Sequence, residues 1–119
     1  MNDIESERML IVVDTDGWAH IETVQGARDH FEIIDVWDDE YSACDEAGRV
    51  YKFEIIPQRE GQRMPTFKVV PTSEVDPDLP KRYLHKFAER LGIPESVVAD
   101  MVRNSQSIIH VFKELEARY

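Results

Sequence analysis

The spacing of the apolar residues changes once along this chain of 119 residues, and that change restricts the fold more than any other feature. Before residue 70, apolar side chains alternate with polar ones, which is the pattern of strands that bury one face. After residue 79 they recur every three or four positions, as along one side of an amphipathic helix. This order predicts an α+β domain, in which an antiparallel sheet is followed by helices that pack on it.

Turn sequences divide the first part of the chain into five or six strands. Met9–Val13 and Trp18–Val24 flank an Asp-Gly turn, and Tyr41–Cys44 and Val50–Ile56 flank a second turn that contains glycine. A short strand at residues 66–70 completes a predicted β-meander. The meander is expected either as an open sheet or as a small half-barrel.

The segment between these two hairpins predicts a further strand. Residues 25–27 have the composition of a turn, and residues 28–37 alternate again. A register in which Val24 faces Arg28 collects the apolar side chains on one face, whereas a shift by one residue mixes them with polar ones. The residues expected on that face are Ala19, Ile21, Phe31, Ile33 and Trp37.

Helix signals follow a proline-rich connector at residues 71–80. Asp78 is the predicted N-cap of a first helix, which Gly92 ends. Pro94 suits the first turn of a second helix, and the apolar stripe at Ile108–Leu115 predicts a third. We therefore expect two or three C-terminal helices on the sheet. The core residues expected to join the sheet to the last helix are Trp37, Phe53 and Phe112.

The length and composition fit a single domain over residues 1–119. Apolar residues make up 42% of the chain and charged residues 32%, which is ordinary for a globular protein that buries its own core. The expected divisions are a flexible acidic tail at 1–7, the sheet at 8–70, the connector at 71–80 and a helical part at 81–119.

The sequence gives no sign of secretion, and none of membrane insertion. Its longest apolar run, Met9–Val13, is far shorter than a membrane span. The N-terminal residues are acidic, where a secretory signal is basic and then apolar. The single Cys44 cannot form an internal disulfide, as expected in a reducing compartment. We therefore expect a cytoplasmic protein without membrane contact, and no cofactor.

Charge is distributed unevenly along the chain. Residues 1–79 carry 19 acidic and 7 basic residues, whereas residues 80–119 carry 5 acidic and 7 basic ones. A total net charge of −10 disfavours binding to nucleic acid and favours a basic protein partner. The acids concentrate around one predicted strand end and the turn after it, and we expect them to form the docking surface. These acids are Asp35, Asp38, Asp39, Glu40, Asp45 and Glu46.

Two His-x-Glu pairs indicate a metal site as an alternative. Residues two apart on a strand share a face, so His20 projects beside Glu22, and His30 beside Glu32. The register proposed above sets His20 opposite Glu32 and Glu22 opposite His30. Zinc accepts such nitrogen and oxygen ligands, although ordinary cross-strand charge pairs have the same pattern.

The segment Leu10–Gly17 ends in Asp14-Thr-Asp16-Gly and resembles the first motif of haloacid-dehalogenase-type phosphatases. That resemblance implies a nucleophilic Asp14, an acid/base Asp16 and a magnesium ion beside them. Trp18 stands where the family usually has threonine, and no alternation of parallel strands and helices follows. The sequence therefore favours an Asp-Gly hairpin turn at this position.

Residues 82–104 resemble a helix-turn-helix segment. Ala88, Gly92, Ile93, Val98 and Met101 fall where that motif has a small helix-contact residue, a turn glycine and three core positions. The resemblance implies that the second helix would read DNA, and the residues available for that contact are Ser96, Arg103 and Asn104. A plain helical hairpin that packs on the sheet is the competing interpretation.

These patterns favour a non-enzymatic role, because no nucleophile–base pair stands out in the sequence. The leading hypothesis is a small acidic interaction module that docks a basic partner. It would act either as an inhibitor-like or immunity-like protein or as an adaptor. A DNA-binding regulator is the first alternative, and a small metal-dependent enzyme is the second. The oligomeric state is left open, with a homodimer among the alternatives.

Overall fold

The predicted α+β class is confirmed, with five antiparallel strands and then helices that pack on the sheet. The computed structural model describes residues 8–30, 41–58, 60–61 and 65–118, without the side chains of residues 28–30. The strands are β1 (Met9–Asp14), β2 (Ala19–Thr23), β3 (Tyr41–Asp45), β4 (Arg49–Ile56) and β5 (Thr66–Val75). The helices are α1 (Val24–His30), α2 (Leu79–Leu91), α3 (Glu95–Asn104) and α4 (Ile108–Arg118).

The sheet has the strand order β2-β1-β3-β4-β5. β2 therefore lies on the far side of β1, and the chain crosses β1 on its way from β2 to β3. β1 pairs with a strand on each side. Leu10, Ile11 and Val12 on β1 are fully buried, because helices cover one face of the sheet and α1 lies on the other. This double burial explains why β1 is apolar throughout instead of alternating.

The Asp-Gly hairpin between β1 and β2 is confirmed. Oδ1 of Asp14 accepts hydrogen bonds from the backbone N–H groups of Asp16 (2.9 Å) and Trp18 (3.0 Å). Gly17 has a φ of 90°, which glycine adopts without a steric penalty. Ala19 and Ile21 point towards the helices, as predicted.

The predicted turn at 25–27 is wrong, because α1 occupies these positions. Oγ1 of Thr23 accepts the N–H of Gly26 (2.9 Å), which satisfies a free donor of the first helical turn. Val24 and Ala27 are buried on the second face of the sheet. The register in which Val24 faces Arg28 is therefore also wrong, and residues 31–37 lie outside the described residues.

β5 is longer than predicted, because it continues through Pro71 to Val75. The pairing of β4 with β5 shifts between Arg49 and Tyr51, which is a bulge-like irregularity. Among the described strands β5 is an edge, and proline is tolerated on edges and near bulges since it has no N–H to donate. The connector is therefore shorter than the predicted residues 71–80, and consists of the few residues between Val75 and the start of α2.

The three C-terminal helices have the predicted order and ends. Gly92 ends α2 with a φ of 74°, and α3 follows Pro94. Asp78 occupies the N-cap position of α2, but in the described part of the chain its side chain makes no capping hydrogen bond. Asp76 acts instead, because its carbonyl oxygen accepts the N–H of Leu79 and its Oδ1 accepts the N–H of Asp78.

Two apolar clusters lie on the two faces of the sheet. The cluster under α2, α3 and α4 includes Phe112, which is fully buried as predicted. Phe53 is half-buried on the opposite face. The centre of its ring lies 5.8 Å from the ring centre of Tyr41 and 5.9 Å from that of Phe67. The prediction that Phe53 joins the sheet to the last helix is therefore wrong, and Trp37 lies outside the described residues.

Among the described residues, no helix combines the length and the apolar composition needed to cross a lipid bilayer.

Candidate functional site

The predicted acidic docking surface is only partly within the described residues. Asp35, Asp38, Asp39 and Glu40 lie outside them. Glu46 is exposed, but Asp45 is only 4% exposed. Asp45 and Glu46 also lie at the end of β3 that neighbours Leu10, whereas residue 41 begins the strand beside Asp14. Of the predicted docking surface, the structure therefore describes only Asp45 and Glu46.

Asp45 is a turn residue rather than a surface acid. Its Oδ1 accepts the backbone N–H groups of Ala47 and Arg49, each at 3.0 Å. Its Oδ2 lies 3.6 Å from the guanidinium of Arg8. The carboxylate is therefore occupied by contacts inside the β3–β4 turn and with Arg8.

A hydrogen bond joins the β3–β4 turn to the end of β5. The N–H of Asp76 donates to the carbonyl oxygen of Gly48 at 2.8 Å. Glu46, Glu74 and Asp78 each lie within two residues of this bond, and all three are exposed. We call Glu46, Glu74, Asp76 and Asp78 the acidic end of the molecule.

The acidic end was missed by sequence reasoning except for Glu46. The three acids within residues 74–78 are a local concentration of negative charge that could have indicated this surface. They lie in the predicted connector, and the sequence does not show that the β3–β4 turn packs beside it. Asp76 is the half-buried member, and its hydrogen bond from Arg82 holds the pKa of its carboxyl group below the ordinary value. Asp76 therefore stays charged to lower pH than an isolated aspartate does, and in this charged form it pairs with Arg82 on α2.

The four predicted metal ligands are not brought together in the described residues. His20 and Glu22 share the face of β2 opposite the C-terminal helices, as predicted, and Nε2 of His20 lies 4.0 Å from Oδ2 of Asp14. His30 belongs to α1, so Glu22 and His30 are not partners across two strands. Glu32 lies outside the described residues, and within these no group of three potential ligands forms a metal site.

The two possible nucleophiles have structural roles in this fold. The carboxylate of Asp14 accepts the hydrogen bonds of its own turn, and β1 continues into an antiparallel hairpin. Cys44 is fully buried, and this burial, with Asp45 and Asp76 nearby, raises the pKa of its thiol to about 12. A thiol with that pKa is protonated at neutral pH and is a poor nucleophile.

Helices α2 and α3 bury the predicted core positions, which fits the helix-turn-helix resemblance and a plain helical hairpin equally. Ala88, Ile93 and Val98 are buried, and Met101 is half-buried. The predicted DNA contacts Ser96, Arg103 and Asn104 are exposed on α3. Arg103, however, is paired with Asp100 on the same helix. Glu95 at the start of α3 is also exposed, so the helix presents both signs of charge.

The groove between α3 and α4 has a volume of about 580 Å³ and includes Val97 and Met101 in its lining. Its charged side chains are largely paired with neighbours on the same helix. Asp100 binds Arg103 on α3, and Glu114 binds Arg118 on α4. The groove therefore offers little net charge to a ligand.

Comparison with known proteins adds no relative, since no family model, curated protein or solved structure matches the chain.

Proposed function

We propose that this protein is an interaction module that docks a basic protein partner through its acidic end. The observation that supports the proposal is the hydrogen-bonded junction between Gly48 and Asp76, which has exposed carboxylates on both sides of the bond. Hydrogen bonds to Asp45 and pairing with β5 hold the backbone of the β3–β4 turn. The exposed carboxylates at this junction are therefore attached to an ordered backbone. A fixed backbone lowers the entropy lost when a partner binds.

Charge also favours a basic partner over long distances. The chain has a net charge of −10, so a positively charged protein is attracted before the two surfaces touch. Such attraction mainly raises the association rate, and salt screens it over about 8 Å at physiological ionic strength. Fast, salt-sensitive binding suits both an inhibitor-like or immunity-like protein and an adaptor.

The proposal is tested by neutralising the acidic end. The variant combines Glu46→Gln, Glu74→Gln and Asp78→Asn, and its matched control changes three exposed acids elsewhere. That control combines Asp16→Asn, Glu60→Gln and Glu95→Gln. Both variants lose three negative charges, so they differ only in where the charge is removed.

Each protein is used to capture partners from a lysate of the native host, and the captured partner is then purified for kinetic measurement. We expect the acidic-end variant to slow association by about tenfold, whereas the control stays within about twofold of the wild type. Equal rates for the two variants would show that only total charge matters and would contradict the proposal. Circular dichroism establishes that both variants are folded.

DNA binding through α2 and α3 is a second candidate, supported by the packing of Ile93 and Val98 around the Gly92 turn. It ranks below the first because acids share α3 with the predicted contacts. Fluorescence anisotropy with duplex DNA tests it, with Arg103→Ala as the variant. Binding that weakens in this variant and at raised salt would support the DNA hypothesis.

A further inference from the structure

A row of basic side chains runs along the exposed side of α2. Arg82, Lys86 and Arg90 are four residues apart, so they lie on one side of the helix with a rise of about 6 Å between neighbours. All three are exposed, and Glu89 is the one acid in the sequence of α2. This concentration of positive charge stands out on a chain whose net charge is −10.

Most of this charge is not neutralised within the molecule. Arg82 pairs with Asp76. For Lys86 and Arg90, no acid lies within ion-pair distance among the described residues. The guanidinium of Arg90 instead lies 4.9 Å from the ring centre of Trp18, a contact that keeps its charge.

The row borders two neighbouring hollows, which share Lys86 and Glu89 in their linings and which we together call the trough. One hollow of about 410 Å³ is lined by Leu79 and Tyr83 together with Lys86. A second hollow of about 360 Å³ lies between the β1–β2 turn and Arg90, and it shares Lys86 with the first. The trough therefore follows α2 for about 16 Å, which is the length of roughly three helical turns.

Apolar surface is present at both ends of the trough. Leu79 and Tyr83 are half-buried at one end. Trp18 is 38% exposed at the other, where its ring packs edge-on against Phe87. A ligand that combines negative charge in the middle with apolar groups at its ends matches this distribution.

We propose that the trough binds an acidic amphipathic helix of a second partner. Carboxylates four residues apart on that helix have the same spacing as Lys86 and Arg90, so they can meet both cations at once. Apolar side chains of the helix then pack on Trp18 and Leu79. The trough adjoins the acidic end where Arg82 pairs with Asp76, but its cations Lys86 and Arg90 lie beyond that pair. With a different ligand at each surface, the protein would bridge two partners of opposite charge.

A helical peptide fits better than a nucleic acid because acids also contribute to the lining of the trough. Asp16 and Arg90 both line the second hollow, and Glu89 lines both hollows. A phosphate backbone carries one charge per nucleotide and would meet these acids wherever it passed. A peptide can place its carboxylates only where the cations are.

The test is a titration followed by ¹H–¹⁵N NMR. The probe is a synthetic acidic helix about 15 residues long, with Glu at three positions four residues apart and Leu towards each end. The protein variants are Lys86→Glu and the matched Lys113→Glu, which makes the same charge change at an exposed position of α4. A basic peptide of equal length and a single-stranded oligonucleotide are the comparison ligands.

We expect the acidic peptide to shift the amide signals of α2 and the indole N–H of Trp18. Lys86→Glu should weaken this binding by at least about tenfold, and Lys113→Glu by less than about threefold. Equal weakening in both variants, shifts confined to other elements, or no binding would overturn the proposal. Tighter binding of the oligonucleotide at the same residues would assign the trough to nucleic acid and equally overturn it.

The outcome is separable from that of the proposed function. The acidic-end variant retains Lys86, Arg90 and Trp18, so it should bind the acidic peptide at least as well as the wild type. If the protein does not dock a basic partner but still binds the acidic peptide, only the proposed role of the acidic end is contradicted. If the protein docks a basic partner but does not bind the acidic peptide, only the proposed role of the trough is contradicted.

Discussion

Replacement of Phe112 by alanine tests how the helices are held to the sheet. Phe112 is fully buried in the cluster beneath α2, α3 and α4, and its ring stacks on Phe87 with centroids 6.0 Å apart. Burial of a phenylalanine side chain contributes about 1.5–3 kcal/mol. The cavity left behind and the lost aromatic pair add to that cost, so we expect Phe112→Ala to destabilise by about 4 kcal/mol.

The matched variant is Phe53→Ala on the opposite face. Phe53 is half-buried, so the same truncation removes less buried surface and should cost about 2 kcal/mol. Urea unfolding followed by circular dichroism gives both free energies. For a chain of this size, the melting temperature of Phe112→Ala should also fall by about 15 °C. A Phe53→Ala cost equal to or above that of Phe112→Ala would refute the assignment of the two clusters.

Three further predictions concern the β3–β4 hairpin. Gly48→Ala places a Cβ 2.0 Å from the backbone oxygen of Asp76 at a φ of 92°, so unfolding measurements should show a loss above about 2 kcal/mol. Gly61→Ala, also at positive φ but in open space, should cost only about 1 kcal/mol. Asp45→Ala should cost about 2–3 kcal/mol because two N–H groups lose their acceptor, whereas Asp45→Asn retains an acceptor oxygen and should cost less in the same urea assay. Cys44 has its pKa raised from 9.0 to about 12 by burial, so between these values the unfolded chain loses a proton that the folded one keeps. The free energy of unfolding should therefore fall in this window by up to about 1.4 kcal/mol per pH unit. Thermal melting at several pH values should show that Cys44→Ala lacks this contribution. A variant whose stability falls with pH as steeply as that of the wild type would contradict the prediction.

Local sequence rules predicted the elements whose residues have one strong preference. The Asp14–Gly17 turn, the Gly92 helix end and the stripe that contains Phe112 are each determined by neighbours in the chain. Along β4, Tyr51 and Phe53 lie on the same face of the sheet, as residues two apart on a strand do. Alternation alone could not say which face the C-terminal helices would cover, since both faces of this sheet are partly buried.

Long-range pairing decided the elements that were predicted wrongly. Gly26 reads as a turn residue, yet it lies within α1 because Thr23 caps that helix and Ala27 is buried on the sheet. Pro71 reads as the end of a strand, but β5 continues past it along the edge of the sheet. Propensities describe a residue in isolation, and in both cases tertiary contacts outweighed them.

The candidate site shows the same limit. Glu46 was identified from local charge, but Asp45 beside it proved to be buried in the turn. Glu74 and Asp78 join Glu46 only because Asp76 bonds to Gly48 across the sheet. A count of acids along the chain cannot distinguish a carboxylate that serves a turn from one that is free to meet a partner.

If the acidic end steers a basic partner, the association rate must depend on salt, because ions screen the attraction. Stopped-flow mixing with the purified partner is repeated at increasing ionic strength for the wild type and for the variant neutralised at Glu46, Glu74 and Asp78. We expect a steep fall in the wild-type rate and a much shallower one in the variant, with the two rates converging at high salt. Wild-type and variant rates that coincide at every salt concentration would contradict it.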